Sequence, residues 1–141
     1  MEVKTASEKE TQEIAQKLAG TLKKGDIICL YGELGAGKTV FVRGVASGLG
    51  IKKRLLSPTF VLMRTYPFEK DGKNITLYHL DLYRTNDFKA LGLDEIFESG
   101  GITIIEWAEK IKDFLPQKKI DVKFEKVNET TRRITISRSN S

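Results

Sequence analysis

A glycine-rich segment between a strand-like run and a helix-like run constrains this sequence more than any other feature. The segment GELGAGKT contains Gly32, Gly35 and Gly37 and ends on Lys38 and Thr39. Glycine loses more conformational freedom on folding than any other residue, so this density of glycines indicates a loop with a specific task. The apolar run DIICLY precedes the segment, and TVFVRGVASGLG follows it with helical spacing. The pattern predicts a strand, a tight loop and a helix, in that order.

The same segment matches the phosphate-binding pattern G-x-x-x-x-G-K-[ST]. Glycines allow successive backbone N–H groups to turn inward, and the start of the following helix adds a partial positive charge. We expect Lys38 to reach the β- and γ-phosphates and Thr39 to offer its hydroxyl to Mg²⁺. The predicted nucleotide-binding residues of the loop are Gly32, Glu33, Leu34, Gly35, Ala36, Gly37, Lys38 and Thr39. The alternative is a glycine-rich turn that binds nothing.

The rest of the chain predicts one α/β domain over residues 1–141, with a mixed central sheet flanked by helices and an antiparallel hairpin. A first helix begins at a capping box of Ser7 and Glu10 and is expected to end at Gly25. An Asp-Gly turn predicts the hairpin. The other predicted strands and helices, in chain order, are FVLMRTYPF, ITLYHLDLYR, the helix NDFKALGLDEIFESG, GITIIEW, the helix AEKIKDFL, IDVKFEKV and RRITISR.

Composition excludes several protein classes. The 141 residues, of which 40% are hydrophobic, suffice for one core without metal or disulfide support. We expect a cytoplasmic protein without membrane segments, because the N-terminus lacks an apolar signal region and the apolar runs are short. The lone Cys29 lies in an apolar run and is predicted to be a small buried hydrophobe.

The net charge of +5 permits attraction to nucleic acid. The basic clusters of the sequence, however, are short and lack interleaved aromatic residues. This favours their interpretation as solvated surface rather than as a nucleic-acid-binding face. These clusters are Lys52–Arg54, Lys118–Lys119 and Arg132–Arg133.

Two acidic residues follow apolar strand-like runs and are candidates for the carboxylate that such a site requires. Glu106 ends ITIIE and Asp81 ends TLYHLD. The carboxyl ends of buried strands point into the crevice where open α/β sheets bind ligands. Either acid fits the magnesium role, and an ordinary exposed acid is the alternative for each. We predict Lys38, Asp81 and Glu106 as the catalytic residues.

Two further residues near these acids have a structural and a functional interpretation. His79 shares a strand face with Asp81, but one histidine and one cysteine cannot build a normal zinc site. A hydrogen-bonded structural histidine is therefore favoured. Trp107, the single tryptophan, adjoins Glu106 and is predicted to lie at the rim of the crevice, with core packing as the alternative.

Four motifs in this order resemble the TsaE family, formerly YjeE. They are GELGAGKT, SPTF, YHLDLYR and IIEWAEK, and the resemblance extends from the first helix to the last strands. These proteins are small bacterial P-loop ATPases needed to make threonylcarbamoyladenosine beside the tRNA anticodon. The resemblance therefore implies a P-loop NTPase fold, bound ATP or ADP with Mg²⁺, and weak, partner-dependent ATP hydrolysis.

The resemblance also assigns roles to individual residues. It implies that Thr39 and Glu106 hold magnesium, that Asp81 is a second essential acid, and that Thr59 of SPTF senses the γ-phosphate or metal. Arg132 resembles an arginine near the nucleotide. The segment from Ser7 to Thr11 resembles one near the base, with Thr11 as the candidate contact.

Two positions depart from the family pattern, in which Glu33 is usually aspartate and Ala108 is often proline. Neither change removes a phosphate or metal contact.

The implied partners are the TsaB and TsaD proteins, with tRNA reached indirectly through their complex. Nucleotide turnover would then reset TsaD, the subunit that transfers the threonylcarbamoyl group. Two alternatives stay open: a small-molecule P-loop kinase, and a non-catalytic nucleotide-gated module that binds RNA or protein. A signalling GTPase is disfavoured, because no N-K-x-D segment occurs.

Overall fold

The computed structural model describes residues 1–33, 35–53, 55, 62–86 and 92–139. Within these residues, seven strands form one sheet in the order β1-β7-β6-β2-β5-β4-β3. The strands are β1 Glu2–Thr5, β2 Ile27–Tyr31, β3 Met63–Lys70, β4 Lys73–Asp81, β5 Ile102–Glu106, β6 Lys119–Lys126 and β7 Arg132–Ser139. The helices are α1 Glu8–Ala19, α2 Lys38–Gly48, α3 Leu93–Glu98 and a 3-10 helix, Ala108–Phe114. The prediction of a mixed α/β sheet flanked by helices is confirmed.

The centre of the sheet is parallel and both margins are antiparallel. Strands β6, β2, β5 and β4 run in one direction, whereas β3 pairs antiparallel with β4, and β7 pairs antiparallel with both β6 and β1. The parallel strands therefore end at one common edge. The residues that follow them meet there, as expected for a ligand crevice in an open α/β sheet.

Apolar side chains cover both faces of the central strands. One cluster packs α1 and α2 on one face, and a smaller cluster packs α3 and the 3-10 helix on the other. The central strand β5 is buried along its whole length. The core therefore holds the carboxyl ends of β2, β4 and β5 in fixed positions.

Helices α1 and α2 pack closely because two glycines of α2 face α1. A Cβ atom at Gly44 would lie 2.6 Å from the Cβ of Ala15, and one at Gly48 would lie 2.6 Å from the Cβ of Ala19. Real Cβ atoms essentially never approach so closely. The absence of a side chain at both positions thus sets the distance between the two helices.

Several local predictions are confirmed. The backbone N–H of Glu10 donates to Ser7 Oγ over 3.1 Å at the start of α1. The hairpin of β3 and β4 turns at Asp71 and Gly72, whose φ angles of 54° and 76° fit the predicted Asp-Gly turn. Cys29 is buried, and desolvation raises its pKa to about 12.

Other local predictions were wrong or incomplete. Helix α1 ends at Ala19 with Gly20 as its C-cap rather than at Gly25, because the N–H and hydroxyl of Thr21 both donate to the carbonyl of Leu18 and close the last turn. The N-terminal strand β1 was not predicted, since it is a short edge strand that depends on pairing with β7. AEKIKDFL is a short helix, as predicted, but it is of the 3-10 type and has a kink at Ile111.

Three predicted features lie outside the described residues, wholly or in part. They are the SPTF segment, the start of the strand FVLMRTYPF and the first part of the helix NDFKALGLDEIFESG. No helix in the described part of the chain is long and apolar enough to cross a membrane.

Candidate functional site

A cleft of about 800 Å³ opens at the carboxyl edge of the parallel strands. Its walls come from the glycine loop, the ends of β4 and β5, the start of α1 and the turn between β6 and β7. The lining residues are Ala6, Ser7, Glu8, Thr11, Gly35, Gly37, Lys38, Thr39, Val40, Asp81, Tyr83, Arg84, Glu106, Trp107, Glu129, Thr130 and Arg132. Many of the residues predicted from sequence therefore line one cavity.

The glycine loop has the backbone geometry that its sequence requires. Gly35 and Gly37 have φ angles of 80° and 105°, in the left-handed region that favours glycine. Ala36 N–H donates to the carbonyl of Glu33 over 3.1 Å, which closes the loop. Helix α2 begins directly after Gly37, so the free N–H groups of its first turn face the cleft. Leu34 lies outside the described residues.

Lys38 is buried although it carries an ammonium group. Its side chain is held by two contacts: Nζ donates to the carbonyl of Gly32 over 2.7 Å and lies 3.9 Å from the ring centroid of Trp107. Burial lowers the pKa of Lys38, whereas the nearby carboxylates of Glu106, Glu109 and Asp81 act in the opposite direction. A cation is therefore fixed at the edge of the cleft, beside two acids.

The two predicted acids lie side by side. Asp81 and Glu106 are paired in register at the ends of β4 and β5. Glu106 is 5% exposed, and its Oε2 accepts a hydrogen bond of 2.7 Å from His79 Nε2. His79 is therefore hydrogen-bonded, as predicted, and its partner is one of the candidate metal ligands.

Asp81 is half-buried, and its carboxylate faces a mixed environment. Burial raises its pKa, and the charge of Glu106 adds to that shift. The N–H of Tyr83, which donates to Asp81 Oδ1 over 3.1 Å, has the opposite effect, as do the charges of His79 and Lys38. Asp81 consequently accepts a proton more readily than an ordinary aspartate.

Thr39 is exposed and lines the cleft. It directly follows Lys38 on the first turn of α2. Its hydroxyl is thus available to a ligand between the loop and the acids.

Arg132, at the start of β7, and Thr11, on α1, also line the cleft. Arg132 donates through Nη2 to the carbonyl of Gly35 over 3.2 Å and through Nη1 to the carbonyl of Asn128 over 2.8 Å. It therefore ties the glycine loop to the turn between β6 and β7. Thr11 is buried, and its hydroxyl lies 2.7 Å from that of Thr5.

The sequence predicted the place of Trp107 in this cleft but not the contacts of its indole. Tyr83 and Trp107 have ring centroids 4.9 Å apart, and Trp107 adopts φ 62°, unusual for a residue with a side chain. Trp107 is half-buried and lines the cleft, which confirms its predicted place at the rim. Its contact with Lys38 joins residues far apart in sequence, so no local sequence pattern predicted it.

The comparison with known protein families decides the relationship of this chain. The family described as "Threonylcarbamoyl adenosine biosynthesis protein TsaE" matches residues 5–134. The chain belongs to the TsaE family. The resemblance that the four motifs indicated is therefore confirmed.

Relatives from several bacteria share most of the chain. "tRNA threonylcarbamoyladenosine biosynthesis protein TsaE" of Bacillus subtilis (strain 168) is 41% identical over 95% of this chain and 83% of its own. The protein of the same name from Treponema pallidum (strain Nichols) is 38% identical over 82% of this chain and 84% of its own.

A solved structure shares the fold. The crystal structure of YdiB from Bacillus subtilis matches with a TM-score of 0.83 and 37% identity, covering 99% of this chain and 86% of that one. This chain therefore shares the fold of a solved protein along nearly its whole length.

Proposed function

We propose that this protein binds and hydrolyses ATP with Mg²⁺ as the ATPase subunit of a tRNA-modifying complex. The observation that carries the proposal is the cleft itself: the glycine loop, a buried lysine and two strand-end carboxylates converge on one cavity. The names of its relatives refer to tRNA threonylcarbamoyladenosine biosynthesis, which supports that pathway for this chain.

The loop supports binding of a polyphosphate. Gly35 and Gly37 have no side chains that would shield the backbone of the loop from a ligand. The N–H groups at the start of α2 carry partial positive charge. Lys38 adds a full positive charge next to them. Such a combination of backbone donors and a fixed ammonium recognises the β- and γ-phosphates of a nucleotide.

The donor set of the cleft fits magnesium better than a softer metal. Thr39 offers a hydroxyl, while Glu106 and Asp81 offer carboxylates. Within the described residues, no group of three or more His, Cys, Asp or Glu side chains is arranged to hold a metal ion by itself. Magnesium usually takes only one or two carboxylates and completes its shell with water and phosphate oxygens. Bound there, it would offset the charge of the phosphates.

Thr39 and Glu106 are the proposed magnesium ligands, and Asp81 is the proposed group that orients the attacking water. The raised pKa of Asp81 suits this second role. Lys38 would stabilise the charge that develops on the transferred phosphoryl group. Lys38, Asp81 and Glu106 together form the proposed catalytic set.

The remaining cleft residues are proposed to contact the rest of the nucleotide. Thr11 and Arg132 line the same cleft as the loop and the acids, and they belong to other elements, α1 and β7. Arg132 donates to the carbonyl of Gly35, so we propose that it also holds the glycine loop beside the nucleotide. The proposed role of Thr59 concerns a residue outside the described part of the chain.

The proposed partners are the TsaB and TsaD proteins, with tRNA acting through that complex in the cytoplasm. Two of the three basic clusters support an indirect role for RNA. Lys119 pairs with Asp121 at 3.1 Å, and Arg133 pairs with Glu2 at 3.1 Å and Glu125 at 3.0 Å. Their charge is partly neutralised within the protein, which weakens attraction to phosphate.

Nucleotide binding can be tested through Trp107, the single tryptophan. Because Lys38 rests on its indole, a phosphate that draws the ammonium away should change the emission. We expect a saturable, magnesium-dependent shift on addition of ATP, with the affinity checked by calorimetry. Failure of calorimetry to detect ATP binding would refute the proposed site.

Hydrolysis can be tested by phosphate release with and without the TsaB and TsaD proteins. We expect slow turnover alone and faster turnover with the partners. Binding without turnover under both conditions would favour the non-catalytic module instead. Phosphate transfer to a small acceptor would favour a kinase.

A further inference from the structure

The proposed site leaves one buried side chain without a role. His79 lies on β4 and is 3% exposed, and its Nε2 is 2.7 Å from Glu106 Oε2. A carboxylate oxygen only accepts hydrogen bonds, so the imidazole is the donor. Among the described residues, His79 is the one hydrogen-bond partner of this carboxylate.

The sheet holds this pair in place. His79 is paired in register with Ile104 on β5, and Glu106 lies two residues further along the same strand. The contact is therefore diagonal across two neighbouring strands, a distance that long side chains can reach. The backbone ladder between β4 and β5 fixes both Cα positions, so the hydrogen bond determines where the Glu106 carboxylate points.

Stability alone does not account for this histidine. Its Nδ1 is buried and has no hydrogen-bond partner in the described part of the chain. The same is true of Nε of Arg64, the residue paired with His79 on β3. Buried polar atoms without partners are rare, and replacing a buried ion pair by apolar side chains of similar volume often causes no loss of stability. The hydrogen bond to Glu106 is thus the one polar contact of the imidazole in the described part of the chain. The effect of His79 is therefore expected at the Glu106 carboxylate.

We propose that His79 is a positioning residue that orients Glu106 toward magnesium. The inference rests on the proposed function, because Glu106 must be a magnesium ligand for it to hold. The imidazole occupies Oε2, so the other carboxylate oxygen is free to face the cleft. Partners of this kind fix the orientation of a metal ligand, and their loss typically weakens metal affinity about 10–100-fold.

The first experiment compares His79→Leu with His79→Gln by calorimetry of ADP binding, in a magnesium titration and in EDTA. Leucine removes the donor, whereas glutamine restores an N–H that can reach the carboxylate. For His79→Leu we expect the apparent magnesium affinity to fall about 10–100-fold while ADP binding in EDTA is retained. His79→Gln should recover most of the loss. If His79→Leu does not fold, His79→Asn replaces it, because its shorter amide cannot span the same gap.

Tyr31→Phe is the matched control. Tyr31 OH donates to Asp121 Oδ1 over 3.2 Å, so this variant also removes a hydrogen bond to a carboxylate next to the central strands. Asp121 does not line the cleft. We expect Tyr31→Phe to leave the magnesium titration unchanged.

The second experiment repeats His79→Leu in a Glu106→Gln background. If His79 acts through Glu106, adding His79→Leu to Glu106→Gln should cause no further loss of magnesium affinity. An equal loss in both backgrounds, an unchanged magnesium titration, or a loss of ADP binding that is the same in EDTA would each overturn the inference. If the unaltered protein binds ADP without any magnesium dependence, the proposed magnesium site fails as well.

Discussion

The cleft and the α1–α2 interface use the same residue for opposite reasons. At the interface, Gly44 and Gly48 have helical backbone angles, and the side chain they lack would collide with α1. In the cleft, Gly35 has φ 80° with open space around a Cβ atom. Glycine is therefore needed for close helix packing at the interface and for a left-handed backbone conformation in the cleft.

The two regions also differ in what they contribute to stability. The interface buries apolar side chains such as Ala15 and Ala19 of α1 against α2, and this burial stabilises the fold. The cleft buries the ammonium of Lys38 and holds Trp107 at a positive φ, and both features cost free energy. The comparison teaches that substitutions in the cleft should change ligand binding, whereas substitutions at the interface should change stability.

The largest effect is expected for Lys38→Ala. Loss of the buried cation should weaken ATP binding by about 3 kcal/mol, roughly 100-fold. Thermal stability should stay equal or rise, because a desolvated charge is removed. Calorimetry and thermal denaturation measure the two quantities. A marked loss of stability with unchanged ATP affinity would reverse the assignment of this residue.

Gly44→Ala should show the opposite pattern. The added methyl group collides with Ala15 and the backbone of Gln12, which should lower the free energy of unfolding by about 2 kcal/mol. ATP affinity of the folded protein should be unchanged. Denaturation in guanidinium chloride gives the first quantity. Arg43→Ala, at an exposed position of the same helix, is the control and should change neither quantity.

Gly35→Ala separates the two effects of a substitution in the cleft, on stability and on binding, with Gly50→Ala as its match outside the cleft. Both glycines have positive φ, 80° and 84°, and no atom within 4 Å of an added Cβ. Each substitution should therefore destabilise the fold by about 1 kcal/mol through backbone strain alone. Only Gly35→Ala should also weaken ATP binding, because only this residue lines the cleft. Equal effects on binding would contradict the comparison.

The smallest free-energy change, a change in stability, is expected for Asp81→Asn. Because the pKa of Asp81 is raised in the fold, its carboxylate destabilises the native state once the pH exceeds the ordinary aspartate range. The variant should be more stable at neutral pH by less than about 1 kcal/mol, since the group is half-exposed. This gain should shrink as the pH falls into the acid range. Unfolding measured across pH tests it, with exposed Asp113→Asn as the control.

Much of the local structure could be predicted from sequence. The glycine loop between β2 and α2, the capping box at Ser7 and the turn at Asp71 all depend on neighbouring residues. These features follow from backbone preferences and from hydrogen bonds within a few positions. For the same reason the four motifs were sufficient to indicate the family.

The cleft could be predicted only in part. Strand-end acids were found because apolar runs ending in Asp81 and Glu106 have a recognisable pattern. The bond from His79 to Glu106 and the contact of Lys38 with Trp107 join separate segments, so neither follows from spacing. The sequence likewise did not predict that Glu106 is buried against His79 whereas Asp81 is half-exposed.

The sequence by itself determined the loop, most of the helices and strands, and the family to which the chain belongs. Tertiary structure alone decided the strand order, the pairing of β1 with β7 and the neighbours of each charged group in the cleft. The physical reason is the range of the interactions. Turns, caps and amphipathic periods involve residues close in the chain, whereas burial, register and pKa shifts depend on residues that only folding brings together.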